Sequence, residues 1–375
     1  MAALAVWIAV AVCLEVALRL QQRFGFSFDQ WLSRCEQGGG RSPLNHEPNA
    51  GRVRQRLSSA AYGQFAGLEY EERYDERGIK FSALRPQDGE GTRVLFMGDS
   101  FIEGYDDANT VPQRAYDWIA AHTALARPLI ILNAAYSSYS PLIFTVQAKR
   151  LLPVVHPDFV VVDVDETDLY DDAVRYRRLA VRDDRGRVIA VDRDPERLAL
   201  VEGCARARQN PLLLLRLIAT AYYQVRLTVR AWREPPERLF AVAESPAGEI
   251  PPELREQMRY FSTTLDELFS TLKEYLPAAR ILVVRHPHLR HLQRNNRGEP
   301  AMNRKVGELV RAAAARNGVT FFDAQDELAA RFAGHPERYY WSISDMHFNF
   351  DGIRAYSELV GRELLRKLQE ASHPG

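Results

Sequence analysis

From residue 93 onward the chain alternates short, unbroken apolar runs with longer amphipathic segments, and that rhythm limits it to few architectures. Residues 93–100 read RVLFMGDS, an apolar run that stops at a glycine. PLIILNAA at 128–135, DFVVVDVD at 158–165, ARILVVRHP at 279–287 and GVTFFDA at 318–324 repeat the pattern. Short runs that are apolar at nearly every position predict strands buried on both faces. Segments of helical periodicity stand between them or follow, at 110–125, 141–153, 252–275 and 301–316. A last one starts near Asp351, where Ile353, Tyr356, Val360, Leu364 and Leu368 share one face. Strand alternating with helix predicts the α/β class, with a parallel five-stranded sheet covered on both sides.

The rest of the chain departs from that rhythm. Residues 1–14 are an unbroken apolar run that Glu15 and Arg19 then interrupt. A full membrane span needs about 20 apolar residues, so the run is short. No Lys or Arg precedes it and no small-residue cleavage site follows, which predicts an uncleaved signal anchor over residues 1–22. An amphipathic or core helix is the alternative. Arg19 and Arg23 follow the run and by themselves favour a cytoplasmic body, against an exported one, so orientation stays open. Residues 23–92, with GGGRSP at 38–43, are expected to be an extended linker, and 93–372 the main domain. Within that domain 170–250 is expected to be an insertion riding over the sheet's end. It holds a hairpin around Asp184-Arg185-Gly186 and an arginine-rich helix at 211–232. Its arginines are either a solvated face or a site for an acidic glycan or lipid head group.

Composition excludes several classes. At 46% apolar and 26% charged residues the chain can build a core and is not disordered. Lys+Arg and Asp+Glu balance at 49 each, and no nucleic-acid-binding motif is present, so no nucleic-acid partner is expected. The three cysteines, Cys13, Cys35 and Cys204, lack zinc spacing. In an exported chain Cys35 and Cys204 could pair; otherwise they are unrelated thiols.

Ligands of open parallel sheets sit beyond the carboxyl ends of the strands. There the first strand offers Gly98-Asp99-Ser100, whose serine stands at a strand-to-helix turn with its backbone N–H free for a developing oxyanion. Just before the last helix stand Asp345 and His347, a carboxylate able to hold an imidazole in one tautomer. His286, His288 and His291 are expected in a basic, solvated loop, with metal binding as the alternative; the acidic run from Asp163 to Asp172, which also suggests divalent cations, is expected to be structural. No metal and no cofactor is expected.

Together RVLFMGDSFIEG and SDMHFNFDG resemble the paired blocks of the SGNH/GDSL hydrolase superfamily, over roughly residues 93–370 without the insertion. The resemblance implies a flavodoxin-like three-layer α/β/α sandwich, with Ser100 as nucleophile, His347 as general base and Asp345 as its orienter. Two further blocks depart from the family pattern. ILNAAYSSYSP at 131–141 places Ser138 where a glycine usually donates its N–H, and VVVDVDETDLYDD at 160–172 places Thr167 where an asparagine usually stands. Ser100, Ser138 and Thr167 are then the expected oxyanion donors, provided that Ser138 adopts glycine-like angles. The implied activity is acyl-ester hydrolysis of an O-acylated carbohydrate or lipid at the cell envelope. The same triad serves an O-acyltransferase, and the departures leave room for a non-catalytic glycan-binding scaffold among envelope polysaccharide-assembly proteins.

Overall fold

The apolar runs become the strands of one sheet: β1 (Thr92–Met97), β2 (Leu129–Asn133), β3 (Phe159–Asp163), β4 (Ile281–Arg285) and β5 (Thr320–Asp323). The longer helices of this computed structural model are α1 (Ala2–Arg23), α2 (Val111–His122), α3 (Pro141–Val155), α4 (Pro195–Arg208), α5 (Leu213–Arg233), α6 (Pro252–Lys273), α7 (Ala301–Asn317) and α8 (Phe350–Ser372). The structure describes residues 2–23, 52–57, 65, 67–80, 90–125, 127–192, 195–233, 252–292, 301–341 and 346–372. Two compact units divide the chain, one taking in Met1–Ser42 and Arg193–Pro236, the other Pro43–Asp192 and Glu237–Gly375.

In the larger unit the strands run parallel in the order β2-β1-β3-β4-β5. The strand order reverses beside β1, and such switch points open a crevice at the carboxyl ends. Side chains leave β1 alternately to the two faces: Leu95 and Met97 join the core under α3, α6 and α7, and Val94 and Phe96 the core under α2 and α8. Burial on both faces explains why the strands read as continuous apolar runs rather than alternating ones. Thr110 caps α2 by accepting from the N–H of Gln113 (3.1 Å), and Pro112 stands in its first turn.

Two stretches differ from expectation. The described part of the supposed linker belongs to this unit: Arg52–Arg56 and Glu69–Arg73 form an antiparallel hairpin, and the Lys80 N–H donates to Asn133 O at the edge of β2 (2.8 Å). Ile79 and Lys80 are buried. Few apolar residues mark this stretch because polar partners hold it, so periodicity could not find it. GGGRSP lies outside the described residues. The insertion also divides. Its hairpin, Ala180–Arg182 with Val188–Val191, lies in the sheet unit, and α4 and α5 group with α1 in the smaller one.

In the smaller unit α1 packs on α5, and α5 on α4. The Glu15 carboxylate accepts the N–H of Leu213 (3.0 Å) and of Leu214 (2.8 Å) at the start of α5, and the Arg19 Nε donates to Glu15 (2.8 Å). These amides have no partner within their own helix, and a carboxylate suits their positive end. The Leu214 bond leads in holding Glu15 below the usual carboxylate range. The expected transmembrane character of residues 1–22 is not supported: among the described residues no helix is long and apolar enough to cross a membrane. The charged pair that interrupts the apolar run ties α1 to its neighbour instead. Cys204 is buried and disulfide-bonded, Cys13 is free, and Cys35 lies outside the described residues.

Candidate active site

The turn that carries Ser100 is set by a glycine that tolerates no side chain. A Cβ on Gly98 would stand 2.6 Å from Ile102 Cγ1 and 3.2 Å from Asp163 Cβ. The chain turns there from β1 into a short helix, Ser100–Glu103, capped by Asp99, whose side chain accepts from the Phe101 N–H (2.8 Å). Ser100 opens that helix, and its Oγ lies 2.7 Å from His347 Nε2. Two residues 247 positions apart thus meet at hydrogen-bond distance, as a serine and its general base must.

His347 is fixed by its loop. The Trp341 N–H donates to His347 O (3.1 Å), and the Tyr105 hydroxyl donates to Phe348 O (3.0 Å). Asn349 accepts the N–H groups of Asp351 (3.0 Å) and Gly352 (3.1 Å), capping α8. The Phe101 ring lies against the imidazole, 5.0 Å between centroids. Asp345, the expected orienter, lies outside the described residues.

Ser138 takes the backbone angle a glycine would, with φ at 63°. An L-residue pays for that region unless its surroundings hold it there. Here the Tyr176 hydroxyl donates to Ser138 O (2.7 Å), and the N–H of Ser137 donates to Glu103 Oε2 (2.9 Å). Glu103 also accepts from the Tyr74 hydroxyl (2.7 Å), and Lys80 Nζ donates to the carbonyls of Glu103 (3.1 Å) and Tyr105 (2.5 Å) and to Glu72 (3.1 Å). Buried Glu103 and Lys80 therefore tie the Ser100 helix to the Ser138 turn. No local pattern signals this, because Lys80 sits in the supposed linker and Glu103 looks like an ordinary helix residue.

Thr167 behaves differently from the expectation. Its hydroxyl donates to Asp165 Oδ1 (2.7 Å), and its N–H reaches the same oxygen (2.7 Å). A hydroxyl has one proton, and here that proton goes to Asp165 rather than toward Ser100.

The histidine-rich loop is not solvated. His286, His288 and His291 are buried, and with Asp163, Asp165 and Glu166 they form a network beneath the serine. His288 Nε2 lies 2.6 Å from Asp165 Oδ2, and His291 Nε2 2.9 Å from Glu166 Oε2. The sequence did carry a signal. His286 and His288 continue β4 at spacing two, Asp163 and Asp165 do so at β3, and the two strands are neighbours. Same-face residues from adjacent strands meet, whereas the alternation argument had considered one strand alone.

Crowding sets the charges. Burial first, then the charges of Asp165 and Asp163, push Asp99 well above the usual carboxyl range. Asp168 rises for the same reasons, burial leading and Asp165 and Asp99 adding. For Asp165 burial, the largest effect, pulls upward but is outweighed by His288, His286 and the Thr167 hydroxyl, which hold it low. Asp172 is pushed up to about 8 by burial, against hydrogen bonds from Ser140 (2.5 Å) and the Leu142 N–H (3.0 Å). Arg175 pairs with Asp171 (3.1 Å) and relieves that end of the acidic run.

Ser100 and His347 are thus paired beyond the first strand of a 2-1-3-4-5 parallel sheet, in an α/β/α fold. The model of the GDSL-like Lipase/Acylhydrolase family matches residues 96–355, and the chain belongs to that family as a carboxylic ester hydrolase. No curated protein matches it. Among solved structures it is similar to a lipase/acylhydrolase from Enterococcus faecalis, at 12% identity and a TM-score of 0.40, covering 73% of this chain and 95% of that one. It is also similar to LAE5, an alpha/beta hydrolase from the metagenome of Lake Arreo, at 14% identity, TM-score 0.41, and 74% and 98% coverage. Axe2, an acetylxylan esterase from Geobacillus stearothermophilus, gives 13% identity, TM-score 0.42, and 74% and 94% coverage. Likenesses this distant carry no argument about the substrate.

Proposed function

We propose that the chain cleaves acyl esters of an O-acylated carbohydrate or lipid through an acyl-serine intermediate formed on Ser100. The observation that carries this reading is the 2.7 Å approach of Ser100 Oγ to His347 Nε2. In the proposed cycle His347 takes the serine proton as Ser100 attacks the ester carbonyl, and returns it to the departing alcohol. Water, deprotonated by the same imidazole, then releases the acid. The N–H groups of Ser100 and Ser138 are the proposed oxyanion donors, with Asp345 the proposed orienter of His347. Thr167 acts at one remove, by fixing Asp165. Activity on acetylated sugars, acylated lipids and short aryl esters tests the substrate class. Turnover of the sugar or lipid esters supports it, and turnover of aryl esters alone counts against it.

We further propose that the smaller unit holds the enzyme at the face of an envelope membrane. Leu215, Ile218, Tyr222, Val225 and Val229 form an exposed apolar stripe along α5 at helical spacing, and Val6, Trp7 and Val10 are exposed on α1. Arg226, beside the stripe, is exposed. Apolar side chains with arginine at their margin suit anionic lipid. Flotation of the full chain with anionic vesicles, lost in Ile218→Asp/Val225→Asp, supports this. Equal flotation of that variant counts against it.

A further inference from the structure

We infer that Asp165, His286 and His288 form a binding site for a divalent first-row metal ion, of which Zn2+ is the ion best matched. Each of the three offers one ligand atom, and these atoms lie within 4.8 Å of one another. All three side chains are essentially sealed, at 2%, 0% and 0% exposure.

Hydrogen bonds fix which atoms face the centre. His286 Nδ1 lies 3.1 Å from Asp163 Oδ2 and 3.3 Å from Oδ1, and Asp163 also accepts the Tyr356 hydroxyl (2.7 Å). An ionised carboxylate has no proton to give, so Nδ1 donates to Asp163, and a metal ion displacing any proton on Nε2 would meet that nitrogen's lone pair. That Nε2 has no hydrogen-bond partner and faces Asp165 Oδ2 at 3.5 Å. An unpartnered imidazole nitrogen and a carboxylate oxygen face each other in a sealed space, an arrangement that a metal cation between them would satisfy. Asp165 is arranged as a single-oxygen ligand, because Thr167 occupies Oδ1 with two hydrogen bonds and leaves Oδ2 toward the histidines. His288 Nε2 is the third donor, 2.6 Å from that oxygen. Tetrahedral ligands at about 2.0–2.1 Å from Zn2+ stand roughly 3.3 Å apart, so loading moves this pair apart by less than about 1 Å. Asp163 behind His286 is the outer carboxylate that metal-bound imidazoles use to fix their tautomer. Two imidazoles and a carboxylate favour Zn2+ over Mg2+ or Ca2+, which prefer oxygen ligands throughout.

Phe101 connects the site to the chemistry. Its ring lies 4.0 Å from His286, 5.1 Å from His288 and 5.0 Å from His347, between centroids. The ion does not touch substrate. It joins the ends of β3 and β4 and firms the seat of the residue next to Ser100.

Cobalt titration of the full chain tests the inference. After chelation of bound metal, we expect one Co2+ per molecule, with the visible bands of a low-coordinate ion, displaced by Zn2+. His286→Gln/His288→Gln should weaken uptake at least tenfold, while His335→Gln, an exposed histidine, should not change it. No stoichiometric uptake by the folded chain overturns the proposal, as does uptake unaltered in the double variant. Should that variant fail to fold, X-ray absorption of the Zn2+-loaded chain decides: imidazole ligands support the site, and a shell without them overturns it.

Discussion

The exit of β1 and the exits of β3 and β4 stand side by side at the same end of the sheet, yet they treat polar groups in opposite ways. At the first, Ser100 and His347 keep partial exposure and meet each other directly. At the second, Asp163, Asp165, His286 and His288 are buried beside Phe101 and bond to one another and to Thr167 and Tyr356, leaving His286 Nε2 without a partner. A nucleophile must be reachable, and a sealed cluster cannot touch substrate. The contrast teaches that the number of titratable residues near a strand end does not locate the chemistry. Access does, and the sealed set serves position.

Removing the accessible side should have the largest effect. Ser100→Ala is expected to lower kcat/KM by about 10^3-fold or more with little change in unfolding midpoint, the effect proper to removing the proposed nucleophile. Steady-state rates on an aryl ester check it, and a folded variant with normal turnover would erase the distinction between the two exits. Gly98→Ala attacks the boundary between them. Its Cβ would strike Ile102 and approach Asp163, so about 1–3 kcal/mol of stability should go, together with much of the activity. Denaturant melts and rates on the same preparation show whether both fall.

The sealed side should announce itself through pH. Asp172 is pushed up to about 8 from 3.8 by burial. Between about pH 4 and 8 the folded chain keeps a proton that the unfolded chain has released. Stability therefore falls as pH rises through that window, by up to about 1.4 kcal/mol per unit. Asp99 and Asp168 are shifted in the same direction. Asp172→Asn keeps an acceptor for Ser140 and Leu142 and should flatten the slope in urea melts taken across that range. An unchanged slope would mean that Asp172 is ionised in the fold. The smallest effect belongs to Thr167→Val. With its proton on Asp165, its loss should change kcat/KM by less than about tenfold and stability by about 1 kcal/mol. A hundredfold loss in rate would place Thr167 among the oxyanion donors after all.

Much of this was legible in the chain itself. The sheet could be read because β1 to β4 are buried on both faces along most of their length, which leaves an unbroken apolar run such as VLFM or ILVV. Ser100 and His347 could be read because each ends or begins an element whose place in the sheet was already known. Lys80 and Glu103 could not. Their partners are backbone carbonyls, one backbone N–H and side chains 8 to 34 positions away, and nothing in local periodicity marks such bonds. The histidine loop was misread because Arg285 and three histidines look hydrophilic, whereas Arg285 is buried against Asp323 (2.9 Å) and the histidines against acids. The N-terminal run gave its helix correctly, but what Glu15 binds required the start of α5, 198 residues on.

Intact-mass analysis after treatment with a fluorophosphonate tests the central claim most directly. A serine activated by an adjacent imidazole should take up a single adduct, mapped to Ser100, and His347→Ala should slow that reaction by orders of magnitude while leaving the fold intact. An adduct on another residue, or equal labelling in folded Ser100→Ala protein, would contradict the assignment of Ser100 as the nucleophile.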